Sequence, residues 1–534
     1  MSIPLPSLPP GWAWSAVAEV GATTEQPVLT GPFGTSMGQE DFVSASGENV
    51  PVLTIGCLRE SGIDLAKAMY VKPEKAESMT RYRLKPGDIM FSRMATVGRA
   101  GFVEQRHAGA LFNYHLMRLR LRDDVLAPHF FIYFVRGSDV VRSYVRDVNH
   151  GMTRDGINTE QLLALPVPLA PRQAQQRIVE ALDSYLSRLD AAVASLERVQ
   201  AKLRLYRASV LKAAVEGRLV PTEAELARQE QRDYEPASVL LERILKERRR
   251  GWEEAELARL QKAGKAPRDD KWKAKYKEPV APDTSGLPEL PDGWCWASTD
   301  QLFTFVTSGS RGWARYYSES GPLFLRMGNL DHDSISLDLA DVQRVSPPES
   351  TEGTRTQVEP GDLLISITAD VGMVGRVPVG LGVAYINQHV ALARPAGPAA
   401  TAYFAWFLAA EAGGQTQFRA LQRGATKKGL GLDDIRAVAV PLPPAAEQER
   451  ISEEIDRRFS IERDVNRTQL AALKRVIRLR QSVLKWAFEG KLVDQDPADE
   501  PAEKLLERIR AERLAAAPAK QARRRRAAAP RRCR

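Results

Sequence analysis

The apolar residues between positions 173 and 217 recur at alternating steps of four and three. The series is Ile178, Leu182, Tyr185, Leu189, Ala192, Leu196, Val199, Leu203, Tyr206, Val210 and Ala213. A heptad pattern of this length predicts a long helix that pairs with another helix. No proline or glycine interrupts it before Gly217, which is placed to cap the C-terminus. At 1.5 Å per residue, about 40 residues make a rod about 60 Å long.

A second copy of this helix is predicted over 447–490. Residues 209–220 (SVLKAAVEGRLV) recur as 482–493 (SVLKWAFEGKLV), although Arg458, Glu462 and Gln469 make the second seam less regular. We expect the two helices to pair with each other as a coiled coil. The residues expected to pair are Ile178, Leu182, Leu189, Leu196, Val199 and Leu203 on the first helix and Val476 and Val483 on the second.

The duplication extends beyond the helices. Residues 8–14 (LPPGWAW) return as 290–296 (LPDGWCW), and the Pro-Gly-Asp turn at 86–88 returns at 360–362. Further repeated pairs are Asn113 with Asn387, His115 with His389, Gly151 with Gly424, Thr153 with Thr426 and Gly156 with Gly429. Many short matches at a nearly constant offset indicate a tandem duplication of a globular part and a long helix.

The sequence therefore predicts an α/β (α+β) chain of pseudo-twofold organisation, with two globular domains in tandem separated by long helices. The predicted segments are 1–172 (first domain), 173–217 (first long helix), 218–289 (charged helix and basic linker), 290–446 (second domain), 447–490 (second long helix) and 491–534 (short helix and arginine-rich tail). Strands are expected at 51–55, 89–93 and 116–121 in the first domain, with matching strands in the second.

The charge balance favours a polyanionic partner, nucleic acid first. Lysine and arginine number 76 against 67 acidic residues, and the isoelectric point is about 9.3. The three cysteines are isolated, which fits a reducing cytosol, and the apolar runs are too short to span a membrane. For the tail at 515–534, predicted to be disordered, a solvated end and a non-specific phosphate contact both remain open.

Sequence signatures of catalysis are missing. The chain has no P-loop, no His-Glu-x-x-His or cysteine cluster, no Gly-x-Gly-x-x-Gly after a strand, and no Asp/Asn-Pro-Pro-aromatic tetrapeptide of amino-methyltransferases. These absences favour a recognition or scaffold protein over an enzyme.

The ordered double set of motifs resembles the DNA-specificity subunit of Type I restriction-modification enzymes. Three motifs occur in both halves: Leu-Pro-x-Gly-Trp at the start of each domain, the Pro-Gly-Asp turns, and Glu-Gly-Arg/Lys-Leu-Val at the end of each long helix. The others are 31–36 (GPFGTS), 55–56 (IG) with 327–330 (MGNL), and the segment 441–451 that leads into the second long helix. The resemblance covers most of the chain except 221–289 and the tail. One departure is that 31–36 has no second copy, since 307–313 reads TSGSRGW. This implies that the two domains read different DNA sequences.

The resemblance implies a non-catalytic subunit with a division of labour among partners. Each globular part would be a target recognition domain reading one half of a split, asymmetric site in double-stranded DNA. The two long helices would lie antiparallel and set the spacing between the two half-sites. They would also dock two methyltransferase subunits, which bring S-adenosylmethionine. Restriction and translocase subunits would bind ATP and Mg and supply ATP-driven translocation and cleavage. No cofactor is expected on this chain, and the complex would act as an adenine-specific DNA methyltransferase and ATP-dependent endonuclease in a bacterial or archaeal cytoplasm.

The candidate DNA-binding residues lie in glycine-rich or turn-like stretches. They are Thr35, Ser36, Arg93 and Arg154 in the first domain and Ser310, Arg311, Arg315, Lys427 and Lys428 in the second. These side chains have the donors and acceptors that base edges and phosphates require. For the repeated Asn113/His115 and Asn387/His389 pairs, recurrence in domains with different targets favours a structural or backbone-contacting role.

Two other classes of function stay open at this stage. The chain could be a coiled-coil scaffold without DNA specificity, or a self-sufficient DNA methyltransferase or nuclease. Salt-sensitive, sequence-dependent DNA binding separates specific recognition from a scaffold. Turnover of S-adenosylmethionine by the purified chain would indicate a methyltransferase.

Overall fold

The computed structural model describes residues 5–527 apart from 24–25, 34–35, 61, 95–96, 150–155, 266, 268, 310, 348–350, 398–400 and 423–428. The chain divides into two compact units. Unit 1 comprises residues 1–196 and 470–534, and unit 2 comprises residues 197–469. Each unit contains one globular domain and one half of each long helix.

The first domain contains twelve described strands and five described helices. The strands are β1 (Ala13–Ala16), β2 (Val28–Thr30), β3 (Phe42–Val43), β4 (Val50–Leu53), β5 (Leu58–Arg59), β6 (Gly62–Ile63), β7 (Met69–Val71), β8 (Ile89–Ser92), β9 (Ala100–Phe102), β10 (Leu111–Phe112), β11 (Leu116–Leu119) and β12 (Pro166–Leu169). The helices are α1 (Val17–Val20), α2 (Pro73–Glu77), α3 (Pro128–Gly137), α4 (Asp139–Asn149) and α5 (Thr159–Leu163).

Two four-stranded sheets form this domain. One is antiparallel, in the order β2-β11-β8-β9, with Met117 of β11 opposite both Thr30 and Phe91. The other has the order β10-β4-β7-β3, with β10 and β4 parallel. Strand β1 pairs antiparallel with β12 and so joins the beginning of the domain to its end. All four residues of β8 are buried, and three of them, 89–91, are apolar.

The long helices and the segments that follow them come next along the chain. They are α6 (Arg172–Val215), α7 (Glu223–Glu230), α8 (Ala237–Lys262), α14 (Ala445–Phe488) and α15 (Ala502–Ala527). The second domain lies between α8 and α14. Its strands are β13 (Cys295–Ser298), β14 (Phe303–Ser308), β15 (Tyr317–Leu325), β16 (Gln343–Val345), β17 (Leu363–Ser366), β18 (Val374–Arg376), β19 (Ala384–Ile386), β20 (Val390–Pro395) and β21 (Ala439–Leu442). Its helices are α9 (Thr299–Leu302), α10 (Thr351–Thr356), α11 (Thr401–Ala409), α12 (Thr416–Leu421) and α13 (Leu432–Arg436).

The sheets of the second domain repeat those of the first. The order β14-β20-β17-β18 matches β2-β11-β8-β9, and the antiparallel pair β13-β21 matches β1-β12. The parallel pair β15-β19 matches β4-β10. The structure thus confirms the predicted internal duplication and the α/β architecture of the domains.

The repeated Pro-Gly-Asp turns show how the same residues build the same element twice. The central glycine of each turn has a φ of 91°, a backbone region that glycine adopts without steric cost. The Asp88 and Asp362 carboxylates each accept the backbone N–H three residues earlier, at 2.8 and 2.7 Å. Each also binds an arginine on the neighbouring strand, Arg120 and Arg394. The aspartate therefore fixes both the turn and the strand pairing.

Both long helices contain 44 residues, which corresponds to a length of about 66 Å at 1.5 Å per residue. Within each unit their halves run antiparallel, as predicted. In unit 1, Arg480 binds Asp190 at 2.8 Å, and in unit 2, Arg207 binds Glu462 at 3.2 Å.

The C-terminal end of each long helix joins the core of a globular domain. Val483, Leu484 and Ala487 of α14 pack with the core of the first domain. Correspondingly, Val210, Leu211 and Ala214 of α6 pack with the core of the second. Burying each larger side chain of this kind contributes about 1.5–3 kcal/mol, so both long helices help to stabilise both units.

Three of the eleven predicted heptad positions on α6 lie outside the observed seam. Tyr185 and Tyr206 are 45 % and 43 % exposed, and Val199 is also exposed. Leu186, Gln200 and Arg207, one residue further on, are buried or half-buried instead. The next buried residue after Leu182 is four positions further on, not three as the heptad pattern predicts. This is because the first turns of α6 pack into the domain core, where buried residues follow the normal helical period.

The other positions predicted for pairing face inward to different degrees. Ile178 and Leu182 are fully buried and Val483 is 8 % exposed. Half-buried positions are Leu189, Leu196, Leu203 and Val476. Within the described ranges, no helix combines the length and apolar character needed to cross a bilayer.

Candidate nucleic-acid interface

Several loops of the first domain meet at one end of the sheet β2-β11-β8-β9. Gly31, just after β2, donates its N–H to Leu116 O at 3.1 Å. Arg93, just after β8, donates its N–H to His115 O at 3.0 Å, and its own carbonyl accepts from Ile157 N at 2.8 Å. We call the described residues 31–33, 36–37, 92–94, 113–115 and 156–157 the first loop cluster.

The second domain contains an equivalent set of loops. Gly309 donates its N–H to Val390 O at 3.4 Å, and Ile367 donates to His389 O at 3.0 Å. Thr368 forms a β-bridge with Gly429, as Met94 does with Gly156 in the first domain. We call the described residues 308–309, 311–316, 366–368, 387–389 and 429–430 the second loop cluster.

A glycine holds the same position in each cluster. A Cβ on Gly31 would lie 2.1 Å from Asn113 O, and a Cβ on Gly309 would lie 2.3 Å from Asn387 O. Both contacts are shorter than any side chain tolerates, so glycine allows the two loops to approach. The stretch at 31–36 therefore has a structural counterpart at Gly309, within the segment 307–313 that the sequence placed opposite it without a matching motif.

The repeated asparagines have a structural role in both clusters. The Asn113 Oδ1 accepts the N–H of His115 at 3.2 Å, and the Asn387 Oδ1 accepts the N–H of His389 at 3.1 Å. These identical turns fix the loop backbone. The two histidines differ, since His115 is half-buried whereas His389 is exposed and contacts Thr368 through Nδ1 at 2.6 Å. Burial, followed by the charge of Arg93, lowers the pKa of His115.

Aromatic side chains stack on one another in the first loop cluster. Phe33 is 61 % exposed and stacks on Tyr114 with ring centroids 6.2 Å apart. Tyr114 in turn contacts the ring of His115 at 3.9 Å. An exposed aromatic stack offers a flat apolar face for a base or a thymine methyl group. Sequence reasoning missed Phe33 and Tyr114, although an aromatic residue between glycines in a loop was a signal.

The predicted residues of the first domain have different environments. Ser36 is exposed in a turn and donates its backbone N–H to Phe33 O at 2.8 Å. Arg93 is half-buried, and its side chain donates to Ile157 O at 3.3 Å and to Tyr114 O at 3.4 Å. Burial lowers the pKa of Arg93. Its contacts hold the loops together. Thr35 and Arg154 lie outside the described residues.

In the second loop cluster, two predicted arginines flank a buried tryptophan. Arg311 and Arg315 are exposed, and the Arg315 guanidinium lies 4.8 Å from the centroid of Tyr316. Trp313 between them is 2 % exposed and stacks on Phe324 at 5.4 Å. The tryptophan therefore anchors the loop that presents both arginines. Ser310, Lys427 and Lys428 lie outside the described residues.

Arg355 is a further residue of this region that sequence reasoning did not identify. Its guanidinium donates to Ser308 O at 2.9 Å and also contacts the Thr307 hydroxyl. Arg355 thus fixes the end of the strand before Gly309 by hydrogen bonds, as Arg93 fixes the loops of the first loop cluster. The described residues contain no cluster of three or more His, Cys, Asp or Glu that could hold a metal ion.

Comparisons with known proteins agree with this architecture. Residues 39–200 match the family described as Type I restriction modification DNA specificity domain. The chain is 25 % identical over 423 residues to the Type I restriction enzyme EcoBI specificity subunit of Escherichia coli, covering 76 % of each chain. It is 22 % identical over 527 residues to the EcoKI specificity subunit of Escherichia coli strain K12, covering 95 % of this chain and 97 % of that one.

The fold has a counterpart among solved structures. A chain from a study of complex assembly and conformational transition of the type I R-M system has a TM-score of 0.63 at 16 % identity. The match covers 91 % of this chain and 100 % of that chain. The family match, the relatives that align over nearly the full length and the shared fold all agree with the motifs that are repeated in both halves of the chain. Residues 39–200 thus match a Type I restriction modification DNA specificity domain, and over most of its length the chain is similar to specificity subunits of Type I restriction enzymes.

Proposed function

We propose that this chain selects the DNA sequence for a Type I restriction-modification complex. Each globular domain reads one half of a split, asymmetric site, and the chain itself is not catalytic. The observation that carries this proposal is the pair of loop clusters. They share one backbone framework, built on Gly31 and Gly309, but present different side chains. A shared framework suits two copies that bind the same polymer, and different side chains suit different base sequences.

The two clusters favour different kinds of contact. The first offers the aromatic face of Phe33 and the hydroxyl of Ser36. Its Arg93 positions the loops, because its guanidinium is bound to backbone carbonyls. The second offers the exposed guanidinium groups of Arg311 and Arg315. Arginine donates to the O6 and N7 of guanine in a bidentate geometry, so we expect guanine or phosphate contacts in the second half-site.

The long helices are the proposed docking surface for two methyltransferase subunits. In unit 2, Leu205 and Ile461 are 72 % and 55 % exposed on the two helices. In unit 1, Ile477 and Trp486 are 58 % and 50 % exposed on α14. Large apolar side chains exposed on a helix pair are typical of a protein interface. Each unit carries such side chains, which suits two copies of one partner.

The proposed cofactors belong to the partners rather than to this chain. S-adenosylmethionine would be bound by the methyltransferase subunits, and ATP and Mg by restriction and translocase subunits. We place this work in the cytoplasm of a bacterium or archaeon, where double-stranded DNA is the substrate.

The experiment that tests the proposal is co-expression with the methyltransferase subunit encoded beside the gene, followed by mapping of methylated adenines across the host genome. We expect one bipartite motif with a fixed gap. Replacing the second domain with that of a relative should change one half of the motif and leave the other half intact. The strain without this chain is the control, and it should lack the motif.

Two results would contradict the proposal. The methylation map could be the same with and without this chain although the assembled complex forms. Alternatively, the complex could bind DNA without sequence preference, which would favour a scaffold. Binding at several salt concentrations separates this second case from specific recognition.

A further inference from the structure

A cavity of about 430 Å³ lies in unit 1, where the first domain meets the ends of the long helices. Its walls come from the β5–β6 region, the segment before β9, helices α3 and α4, and helices α6 and α14. Five of its lining residues are arginines, namely Arg59, Arg99, Arg136, Arg142 and Arg480. The acidic lining residue is Glu60. A cavity of this size is in the range of small-ligand sites.

Nearby carboxylates neutralise only part of this charge. Asp139 binds Arg142 at 2.6 Å, and Asp190 binds Arg480 at 2.8 Å. Within the described part of the chain, Arg59 and Arg99 have no carboxylate within salt-bridge distance. Of the five lining arginines of the described chain, Arg59, Arg99 and Arg136 thus remain without a bound carboxylate.

The Arg136 guanidinium is held in place by backbone carbonyls rather than by a carboxylate. One of its terminal nitrogens donates to Ala100 O at 3.0 Å and to Arg59 O at 3.4 Å, both of them backbone carbonyls. Burial lowers the pKa of Arg136; Tyr133 and Glu60 act in the opposite direction, and the positive charge of Arg480 acts in the same direction as burial. An anion between these guanidiniums would relieve their repulsion, and a guanidinium fixed in orientation loses little entropy on binding.

The remaining wall is apolar. Leu58, Val97, Val135, Leu186 and Leu484 line the cavity together with the ring of Tyr133. The Tyr133 hydroxyl donates to Asp183, which leaves the tyrosine ring as part of the wall. A cavity with clustered arginines and an apolar wall suits a ligand with a phosphate group and a flat or apolar body.

Unit 2 contains the duplicated counterpart, a cavity of about 480 Å³. Its Arg207 corresponds to Arg480, because both precede the shared Ser-Val-Leu-Lys segment. Here Arg207 binds Glu462 and lies 3.9 Å from the centroid of Phe459. The other lining charges include Arg204 and Arg419 and are opposed by Asp333, Asp370 and Glu411. This second cavity is balanced in charge.

We propose that the unit 1 cavity is a binding site for a phosphate-bearing ligand of nucleotide size, and that the unit 2 cavity has lost or never had this activity. The phosphate has two available sources, a free nucleotide-like molecule or a DNA backbone. The proposal does not depend on which bases the domains recognise.

Isothermal titration calorimetry of the full chain with pyrophosphate and with AMP tests this site. We expect saturable binding with one site per chain, and tighter binding of AMP than of pyrophosphate because of the apolar wall. The double variant Arg59→Gln/Arg99→Gln should weaken binding at least tenfold. Both side chains are exposed, so the variant should fold normally. The matched control is Arg204→Gln, an exposed arginine of the unit 2 cavity, which should bind as the unmodified chain does.

Competition with a short DNA duplex then identifies the source of the phosphate. If duplex displaces AMP from the unmodified chain, the site takes DNA backbone, and if it does not, the site takes a free ligand. The proposal is overturned if neither probe binds at millimolar concentration. It is also overturned if the double variant binds as well as the control, or if the control loses as much affinity as the double variant.

Discussion

Gly217 at the end of α6 lies against Pro291, so closely that a Cβ on Gly217 would be 2.5 Å from Pro291 Cγ. The relationship recurs in the other unit, where a Cβ on Gly490 would lie 2.4 Å from Pro9 Cγ. Both glycines have positive φ angles, 66° and 68°. Each therefore ends a long helix and also lets the proline before the tryptophan motif pack against that end.

Gly217→Ala is expected to destabilise unit 2. The left-handed backbone costs about 1–2 kcal/mol for a residue with a Cβ, and displacement of Pro291 adds to this. Urea denaturation of the full chain measures the change in the free energy of unfolding. The control is Gly251→Ala within α8, where a Cβ would meet nothing within 4 Å. That variant should gain about 0.5–1 kcal/mol. Equal effects of both substitutions would contradict the packing argument.

Arg311→Ala should weaken recognition of one half-site without affecting the other. If Arg311 binds a guanine, the loss should be about 1–3 kcal/mol and selectivity at one base pair should relax. If it binds phosphate, affinity should fall equally for all sequences and the salt dependence should become shallower. Titration of the assembled complex with matched and mismatched duplexes distinguishes these cases.

The control for Arg311→Ala is Arg250→Ala on α8, whose side chain is 72 % exposed. It removes the same charge from the same unit but lies outside both loop clusters. An Arg311→Ala complex with unchanged affinity, salt dependence and methylation pattern would rule out the proposed contact.

Phe33→Ala should reduce affinity for the first half-site. Since Phe33 is 61 % exposed, its removal should change the stability of the chain little, apart from the stacking with Tyr114, worth about 0.5–1.5 kcal/mol. The measurement is the affinity of the complex for duplexes varied in one half-site at a time. Met69→Ala, which removes a partly exposed apolar side chain from β7, is the control and should bind normally. A loss confined to the second half-site would contradict the assignment.

Lengthening both long helices should change the gap between half-sites. Four residues add about 6 Å and one turn of helix. Insertion near Ser195 of α6 must be matched near Thr468 of α14, because the helix halves are paired within each unit. Methylation mapping should reveal a longer or re-phased gap. An active complex with an unchanged gap would show that the helices do not set the spacing.

Glu454 gives a prediction about pH. Hydrogen bonds from Arg457 and then Arg458 lower the pKa of Glu454 from its ordinary value of 4.5 to about 2. A lowered carboxyl pKa means that the stabilisation is present above pH 4.5 and is lost as the pH falls towards 2. Because these ion pairs lie on a helix surface, Glu454→Gln should cost less than about 1 kcal/mol at pH 7. Thermal unfolding of both proteins across acidic pH should show their difference shrinking, and a constant difference would exclude the ion pairs as its cause.

The sequence predicted the features that depend on local chemistry. The long helices were expected at 173–217 and 447–490, and α6 and α14 occupy Arg172–Val215 and Ala445–Phe488. Their ends follow from capping glycines and an uninterrupted pattern, which are local signals. The matching sheets followed from the repeated turns, since identical turns and strands at a constant offset form identical pairings.

The features that were missed depend on tertiary contacts. The seam of α6 shifts at Tyr185 because the helix leaves a domain core and enters a helix pair, and no single period describes both. The equivalence of Gly31 and Gly309 depends on contact with an asparagine about eighty residues later, which the local sequence does not encode. The hydrogen bonds of Arg93 to Ile157 O and Tyr114 O likewise depend on the tertiary packing of three separate loops.

The division of each long helix between the units has a consequence for biosynthesis. Unit 2 is one continuous stretch, 197–469, whereas unit 1 needs residues 470–534 together with 1–196. Val483, Ala487, Leu506 and Ile509 all belong to the core that surrounds Phe130. On the ribosome, the second domain can therefore complete its core before the first one does. The core of the N-terminal domain is completed only when the residues after 470 have been translated. Until then its apolar residues are exposed and prone to aggregation.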